Sequence, residues 1–433
     1  MTPNHHPSAP LETDRADARL RTGRLEVAEL EQLARQLAIL HESETADPDA
    51  ARQAGPDALA ARARALRDEA SRIDAEHPKL AAALRVVADI QARFFATHAD
   101  WFQARVDAQC IGVGVYDLHL ENVWIDDQGS VTLPCDRSTG EHPALAGRDG
   151  CVPAAGLGVD LASRGHPDLA ERLLSIYAGA SDDYALYRVV DYHERDLACT
   201  RARERLRAAG APETTAAARN AAAADAQRLL GFACESVRRP LHPPVVVALG
   251  GLVASGKSTV ARALADRMAS PRIVGDHVRA SRMGATPSHD PTVLERLEGL
   301  EPDFEKRVTR SFFEAAACVL DSGRAVVLDA GFPSARRRAA ARELAERYGL
   351  AFRFVECRVD EATARTRLAA RDAAPDEHAG WRAIYDAYLA CWEPPEDDVA
   401  PGEHIVVDTT RPLDENLAAI AARLPVWPQD SGA

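Results

Sequence analysis

The chain of 433 residues reads as an α/β protein in two parts: a C-terminal five-stranded parallel sheet with helices on both faces, preceded by a mostly helical region. Three observations predict this. After residue 244, five short apolar runs alternate with stretches of helical length, the pattern of a parallel sheet covered on both faces. The first of these runs leads directly into a glycine-rich loop and then a helix. Upstream, helical periodicity dominates until Arg239-Pro240-Leu241-His242-Pro243-Pro244, whose three prolines cannot continue a helix. The expected organisation is a disordered tail at 1–20, a helical domain at 21–238, a linker at 239–244, the sheet domain at 245–426 and a tail at 427–433.

Taken in order, Glu26 to Asp107 is predicted helical, with Leu30, Leu33, Leu37 and Leu40 on one stripe and Phe94, Phe95, Trp101 and Phe102 on a later helix. At Cys110 the texture changes to glycines and short β-like runs at Asn122–Ile125 and Ser130–Leu133, and a loop-rich segment is expected to about Arg164. Helical patterns resume from Pro167 to Val237. Beyond the linker the predicted strands are Val245–Leu249, Arg272–Gly275, Ala325–Asp329, Ala351–Glu356 and His404–Asp408. The predicted helices fall near Lys257–Met268, Pro291–Asp321, Ser334–Tyr348, Glu361–Arg371, Gly380–Cys391 and Leu413–Leu424.

Gly251-Leu252-Val253-Ala254-Ser255-Gly256-Lys257-Ser258, followed by Thr259, satisfies G-x-x-x-x-G-K-[ST] between the first strand and its helix. In that setting backbone N–H groups of the loop curl around phosphates, and the helix N-terminus adds partial positive charge. Lys257 is placed to neutralise the transferring phosphate and the Ser258 hydroxyl to ligate Mg²⁺. The chain has three lysines, Lys79, Lys257 and Lys306, among 52 basic residues. Keeping one inside the loop matters, because arginine's planar fork cannot replace a compact ammonium there.

Ligands of such sheets bind at the carboxyl ends of the strands. Strand two delivers Asp276, placed to accept the proton of an attacking hydroxyl, and Arg279 one helical turn on, placed to hold the acceptor. Strand three ends at Asp329, placed to support the metal through water. Aspartate in both positions is also a common helix cap or turn residue. Arg365, Arg367 and Arg371 are the lid candidates for charge over the phosphate, Arg371 first among them.

Composition narrows the partners. A net charge of −14 disfavours nucleic acid bound by bulk electrostatics. No apolar stretch approaches the ~20 residues that span a bilayer, and the polar N-terminus carries no signal-peptide core, so a cytoplasmic protein without a membrane partner is expected. The eight cysteines show no CxxC pair and no metal-ligand spacing, and are expected reduced and in cores.

Residues 245–426 resemble the small P-loop kinases that include polynucleotide kinase, gluconate kinase, chloramphenicol phosphotransferase and zeta toxins. The resemblance rests on G-x-x-x-S-G-K-S-T, on Asp276-x-x-Arg279 and on the Asp329 strand end, and it implies Asp276 as base and Arg279 on the acceptor side. One departure lies in the lid: many relatives carry Ser-Asp-Ala-Arg before a tryptophan, where this chain has Glu377-His378-Ala379-Gly380 before Trp381. Glu393-Pro394-Pro395 does match.

Tyr116-Asp117-Leu118-His119-Leu120-Glu121-Asn122 is similar to the catalytic loop of aminoglycoside phosphotransferases, and Gly165-His166-Pro167-Asp168-Leu169-Ala170 matches a later segment of bacterial two-part proteins that join such a domain to a P-loop ATPase domain. The resemblance implies a protein-kinase-like C-lobe remnant with Asp117 as base and Asn122 toward Mg²⁺. Against activity, Val115-Tyr116 replaces His-Gly, Pro134 stands where the metal-binding Asp is expected, with Asp136 two residues on, and Lys79 lies on a helix. The first domain is therefore expected to be degenerate, with Asp117, His119 and Asn122 holding the loop. The function expected is an ATP- and Mg²⁺-dependent phosphotransferase moving the γ-phosphate to a hydroxyl of a small molecule. The alternatives are an ATP-binding regulatory scaffold and a polynucleotide 5′-hydroxyl kinase.

Overall fold

The structure is a computed structural model, and it describes residues 14–42, 55–75, 77–112, 118–126, 128–133, 148–235, 240–283, 302–373 and 381–426. Asp117, Pro134, Asp136, Glu377–Gly380 and the first part of the expected 291–321 helix lie outside these. The chain divides into two compact units, Met1–Tyr177 with Arg188–Arg239, and Ala178–Tyr187 with Pro240–Ala433. Ten residues from the middle of the N-terminal half thus group with the C-terminal sheet, which neither periodicity nor the linker announces.

In the first unit the helices are α1 (Ala16–Arg21), α2 (Val27–Glu42), α3 (Pro56–Ile73), α4 (Pro78–Asp107), α5 (Val152–Ser163), α6 (Pro167–Ser181, ending in the second unit), α7 (Val190–Ala209) and α8 (Ala216–Cys234). Two antiparallel pairs interrupt them: β1 (Ile111–Gly112) with β4 (Arg148–Asp149), and β2 (Trp124–Ile125) with β3 (Val131–Thr132). Three expectations are corrected. Residues 16–21 form a helix rather than a tail, because Ala16 and Leu20 are buried and the Ala16 N–H bonds Val123 O. The stretch before Arg164 is helix α5, not loop; it is buried from Val152 to Leu161, so it lacks the polar face that periodicity needs. Leu30, Leu33 and Leu37 are core, but Leu40 at the end of the stripe is exposed.

Buried ion pairs fasten this unit. Arg201 donates to Gly156 O (2.7 Å), Leu118 O (2.8 Å) and Asp160 Oδ1 (3.1 Å). A Cβ on Gly156 would lie 2.8 Å from that guanidinium, so the glycine leaves room for it. Burial acts to raise the Asp160 carboxyl, but Arg201, Arg164 and His119 outweigh it and hold it below the usual range. Asp160 also accepts the Leu120 N–H (2.8 Å), while the Asn122 side chain accepts the His119 N–H (2.8 Å). Of the motif residues described, His119 and Asn122 are thus joined in one short turn.

Asp149, Cys151 and His193 bring ligand atoms within 4.8 Å of one another, a grouping that sequence spacing hides. The Asp149 carboxylate is already engaged, by two bonds from Arg105 (2.6 and 2.7 Å) and by the Cys151 N–H (2.9 Å). Among the described cysteines all are free; Cys151, Cys199, Cys318 and Cys357 are buried, whereas Cys391 is exposed and so departs from the expected core placement.

The second unit carries the sheet. Its strands are β5 (Val245–Gly250), β6 (Arg272–Val274), β7 (Val326–Asp329), β8 (Ala351–Arg358) and β9 (His404–Asp408), all parallel in the order β6-β7-β5-β8-β9. Its helices are α9 (Lys257–Met268), α10 (Gly275–Arg282), α11 (Pro302–Asp321), α12 (Ala335–Arg347), α13 (Glu361–Asp372), α14 (Trp381–Ala390) and α15 (Leu413–Ala421). Gly275 opens α10 rather than ending the strand. One face of the sheet packs Val245, Val247 and Leu249 against Val260, Leu264 and Met268 of α9 and Leu417 and Ile420 of α15.

Burial pushes the His193 imidazole down to about 4, against the pull of Asp149 and Asp196. The folded protein therefore keeps His193 neutral in a range where the unfolded chain protonates it. Stability contributed by the neutral form is present above pH ~6.5 and is lost as pH falls toward about 4, on the order of 3 kcal/mol. Urea titrations across that window should show a shallower loss of stability on acidification for His193→Gln than for the parent. Equal slopes would mean His193 is not the group that titrates.

Candidate functional site

The site forms where β5 ends. Gly250 continues into a loop that returns as α9, and three glycines with one alanine allow the turn. A Cβ on Gly250 would lie 2.4 Å from the Phe354 ring. Gly251 and Gly256 have φ of +146° and +80°, which side chains rarely adopt. Ala254 also holds a positive φ, +63°. Behind the loop Val253 and Ala254 pack on Ala364 and Leu368 of α13 and Ile384 and Tyr385 of α14.

Polar braces complete this backing. Arg367 donates to Ala254 O and to Thr409 Oγ1, both at 3.1 Å, and Thr409 donates to Ser255 O at 2.7 Å. Arg367 is thereby corrected from a lid candidate to a brace of the loop. Arg365 is corrected as well, since it pairs with Glu361 (2.8 Å) on the surface. Arg371, the remaining candidate, lines the cavity and lies over the Trp381 ring, 5.2 Å from its centre. Glu393 works structurally: its carboxylate accepts the Ala335 N–H (2.6 Å) at the start of α12, and its own N–H bonds Pro333 O (2.8 Å).

The loop opens into a cavity of about 460 Å³. Lys257, Ser258 and Thr259 line its phosphate-loop side, and Asp276, Arg279 and Asp329 line it as well. The structure thus brings together the residues picked from sequence. Asp276 sits in the first turn of α10, where Val274, not Asp276, is the N-cap residue. Ser258 Oγ donates to Asp329 Oδ1 at 3.3 Å, and Asp329 is 3 % exposed. Burial pushes its carboxyl up, opposed by Arg272 and Lys257. A buried carboxylate beside a hydroxyl at a phosphate loop is a donor set that fits a hard divalent cation such as Mg²⁺.

Several site residues were not picked from sequence. Arg272 donates to Asp329 Oδ2 (3.2 Å) and to Ser258 O (3.4 Å). Arg337, Tyr388, Phe312 and Phe332 line the far side of the cavity. Burial, then the nearby Asp276 charge, push the Tyr388 hydroxyl up, so it stays protonated. Arg279 and Arg337 converge on the Glu305 carboxylate, the former at 2.7 Å. These positions are scattered across β6, α11, the loop after β7, α12 and α14, with no spacing that marks them.

Residues 246–395 match the family model described as an AAA domain. No curated protein matches the chain. Among solved structures, a gluconokinase from Sinorhizobium meliloti 1021 aligns over 43% of this chain and 93% of its own, at 24% identity and a TM-score of 0.31. The Mycobacterium tuberculosis APS kinase, in complex with AMPPNP and APS, aligns over 42% and 98%, at 20% identity and a TM-score of 0.32. A shikimate kinase from Acinetobacter baumannii aligns over 42% and 91%, at 17% identity and a TM-score of 0.28. Among the described residues no helix is long and apolar enough to cross a membrane.

Two arginines of α13 give a contrast that can be measured. Arg367→Ala should lower ATP affinity about tenfold, the worth of one or two charge-assisted hydrogen bonds, by loosening the loop. Arg365→Ala should leave it unchanged. Calorimetric titration of both variants with MgATP checks this, and equal affinities would remove the brace from the argument.

Proposed function

We propose that residues 245–426 form an ATP-dependent phosphotransferase that moves the γ-phosphate to a hydroxyl of a small molecule. The observation that carries this reading is that one cavity is lined by Lys257 and Ser258 and also by Asp276 and Arg279. A phosphate-binding loop alone supports nucleotide binding. A carboxylate and a buried arginine facing the same space support a second substrate.

On this reading the loop N–H groups and Lys257 hold the phosphates, and Ser258 with Asp329 would hold Mg²⁺. Bound there, the ion would supply charge neutralisation for the phosphates. Asp276 accepts the proton of the acceptor hydroxyl as its oxygen bonds to the γ-phosphorus and the bridging bond to ADP breaks. Arg279, held by Glu305, orients the acceptor, and Tyr388 offers it a protonated hydroxyl. Arg371 adds positive charge at the cavity wall.

We infer that the first unit does not transfer phosphate. Its lysine, Lys79, lies in the first turn of helix α4 with its side chain in solvent. Asn122 spends its amide oxygen on the turn at His119. The aminoglycoside-phosphotransferase resemblance of this unit rests on its motifs.

Lys257→Ala should weaken MgATP binding by tens of fold with the fold intact, and no second site should remain in the full chain. Asp276→Asn should keep ATP affinity and lower acceptor phosphorylation by ~10²–10⁴, the usual worth of a general base. Turnover across sugars, antibiotics, nucleosides and oligonucleotides reads both variants and names the acceptor. ATP binding without turnover on any of them would favour a regulatory scaffold, and preference for oligonucleotides a 5′-hydroxyl kinase.

A further inference from the structure

Arg272 stands apart from three other arginines of the cavity. Arg279 and Arg337 share Glu305, and Arg371 lies on Trp381, whereas Arg272 sits on the carboxylate that the nucleotide site needs. Its guanidinium lies 3.2 Å from Asp329 Oδ2, while Ser258 Oγ takes Oδ1 of the same carboxylate at 3.3 Å. The Asp329 side chain is 2 % exposed and that of Arg272 is 19 % exposed. A carboxylate this deep stays ionised only beside a cation.

The backbone of Arg272 is fixed in the sheet, while its side chain lines the cavity and reaches Ser258 O (3.4 Å) as well as Asp329. It pairs with Val327 in the sheet, and its carbonyl accepts the hydroxyl of buried Tyr184 (3.4 Å), which belongs to the 178–187 segment. Because β6 is held through this backbone pairing, a change in where the guanidinium bonds need not disturb the strand. A divalent ion held by Ser258 and Asp329 would meet the guanidinium's like charge at the same carboxylate.

We propose that Arg272 competes with the divalent ion for Asp329, acting as a stand-in cation that sets how much metal the site needs to bind nucleotide. This rests on the nucleotide-site reading above. Arg272 holds the Asp329 carboxylate in place beside Ser258, and yields it when metal and nucleotide arrive together. The phosphates then bring the negative charge that lets both cations stay in one cavity. Free nucleotide brings no ion to displace the guanidinium, so the competition raises the metal requirement and leaves metal-free binding unaffected.

The test uses the full chain with Mn²⁺ as an EPR-visible ion and AMPPNP as nucleotide, at about pH 8 where carboxylates are ionised. Arg272→Gln should lower the half-saturating Mn²⁺ concentration on the order of tenfold, the scale of competition between linked ligands. AMPPNP binding in EDTA should not change. In an Asp329→Asn background the same step should have no effect, as a double-mutant cycle requires. Arg272→Met, which keeps the aliphatic stem, repeats the measurement if the glutamine variant folds poorly. An unchanged or raised Mn²⁺ requirement, or weaker AMPPNP binding in EDTA, would overturn the proposal and make Arg272 a structural or phosphate-binding residue. If the parent protein binds no AMPPNP at all, the nucleotide-site reading fails with it. If AMPPNP binds and Lys257→Ala removes it, but Arg272→Gln shifts nothing, only the competition fails.

Discussion

The two-sided pairing of β5 fixes the C-terminal unit. Val246 to Leu249 lie against Val326 to Asp329 of β7 on one side, and Val245 to Gly250 against Ala351 to Glu356 of β8 on the other. Buried along its whole length, the strand has no free edge and one register. Its last residues therefore end beside Asp329, and the phosphate loop has to leave from that point. A one-residue slip would turn Val245, Val247 and Leu249 away from α9 and carry Asp329 out of reach of Ser258. The placement of the candidate site is a consequence of this register.

Charge organises the rest of the cavity. Asp329 is deep enough that burial raises its carboxyl, and Arg272 and Lys257 counter that. Arg279 is likewise buried and finds Glu305. With 52 basic residues and three lysines, the chain assigns bracing and pairing to planar guanidiniums that can meet carboxylates and carbonyls side-on. Arg338 follows the same logic away from the cavity: fully buried, it meets Asp398 and Phe332 O. The lysine of the phosphate loop is the exception because a loop of N–H groups calls for a point charge.

The first unit relies on the same chemistry for a different end. Arg105 with Asp149, and Arg201 with Asp160, tie short strands and turns to helices in a region with little regular sheet. Removing one partner from such a buried pair leaves an uncompensated charge, so Arg105 and Asp149 fasten β4 to α4, and Arg201 and Asp160 fasten the turn that carries His119 and Asn122. The residues 178–187 link the units in sequence, and their contacts in the second are specific. Asp182 accepts from Ser281 (2.6 Å) and pairs with Arg282 (3.2 Å) on α10, the helix that carries Asp276 and Arg279.

The sequence alone determined the α/β class, the positions of all five strands to within about two residues and the phosphate loop with Lys257 and Ser258. These are local signals: apolar runs, turn glycines and a motif whose chemistry is contained in nine consecutive positions. It also singled out Asp276, Arg279 and Asp329, because strand ends in a parallel sheet point to one edge. Helix α5 escaped it, since a helix buried on all sides has no polar face to give a period. Arg272, Arg337, Tyr388 and the bracing role of Arg367 were decided only by tertiary structure. Each depends on where a long side chain meets an element far away in sequence, and among 52 basic residues nothing local separates a cavity arginine from a solvated one.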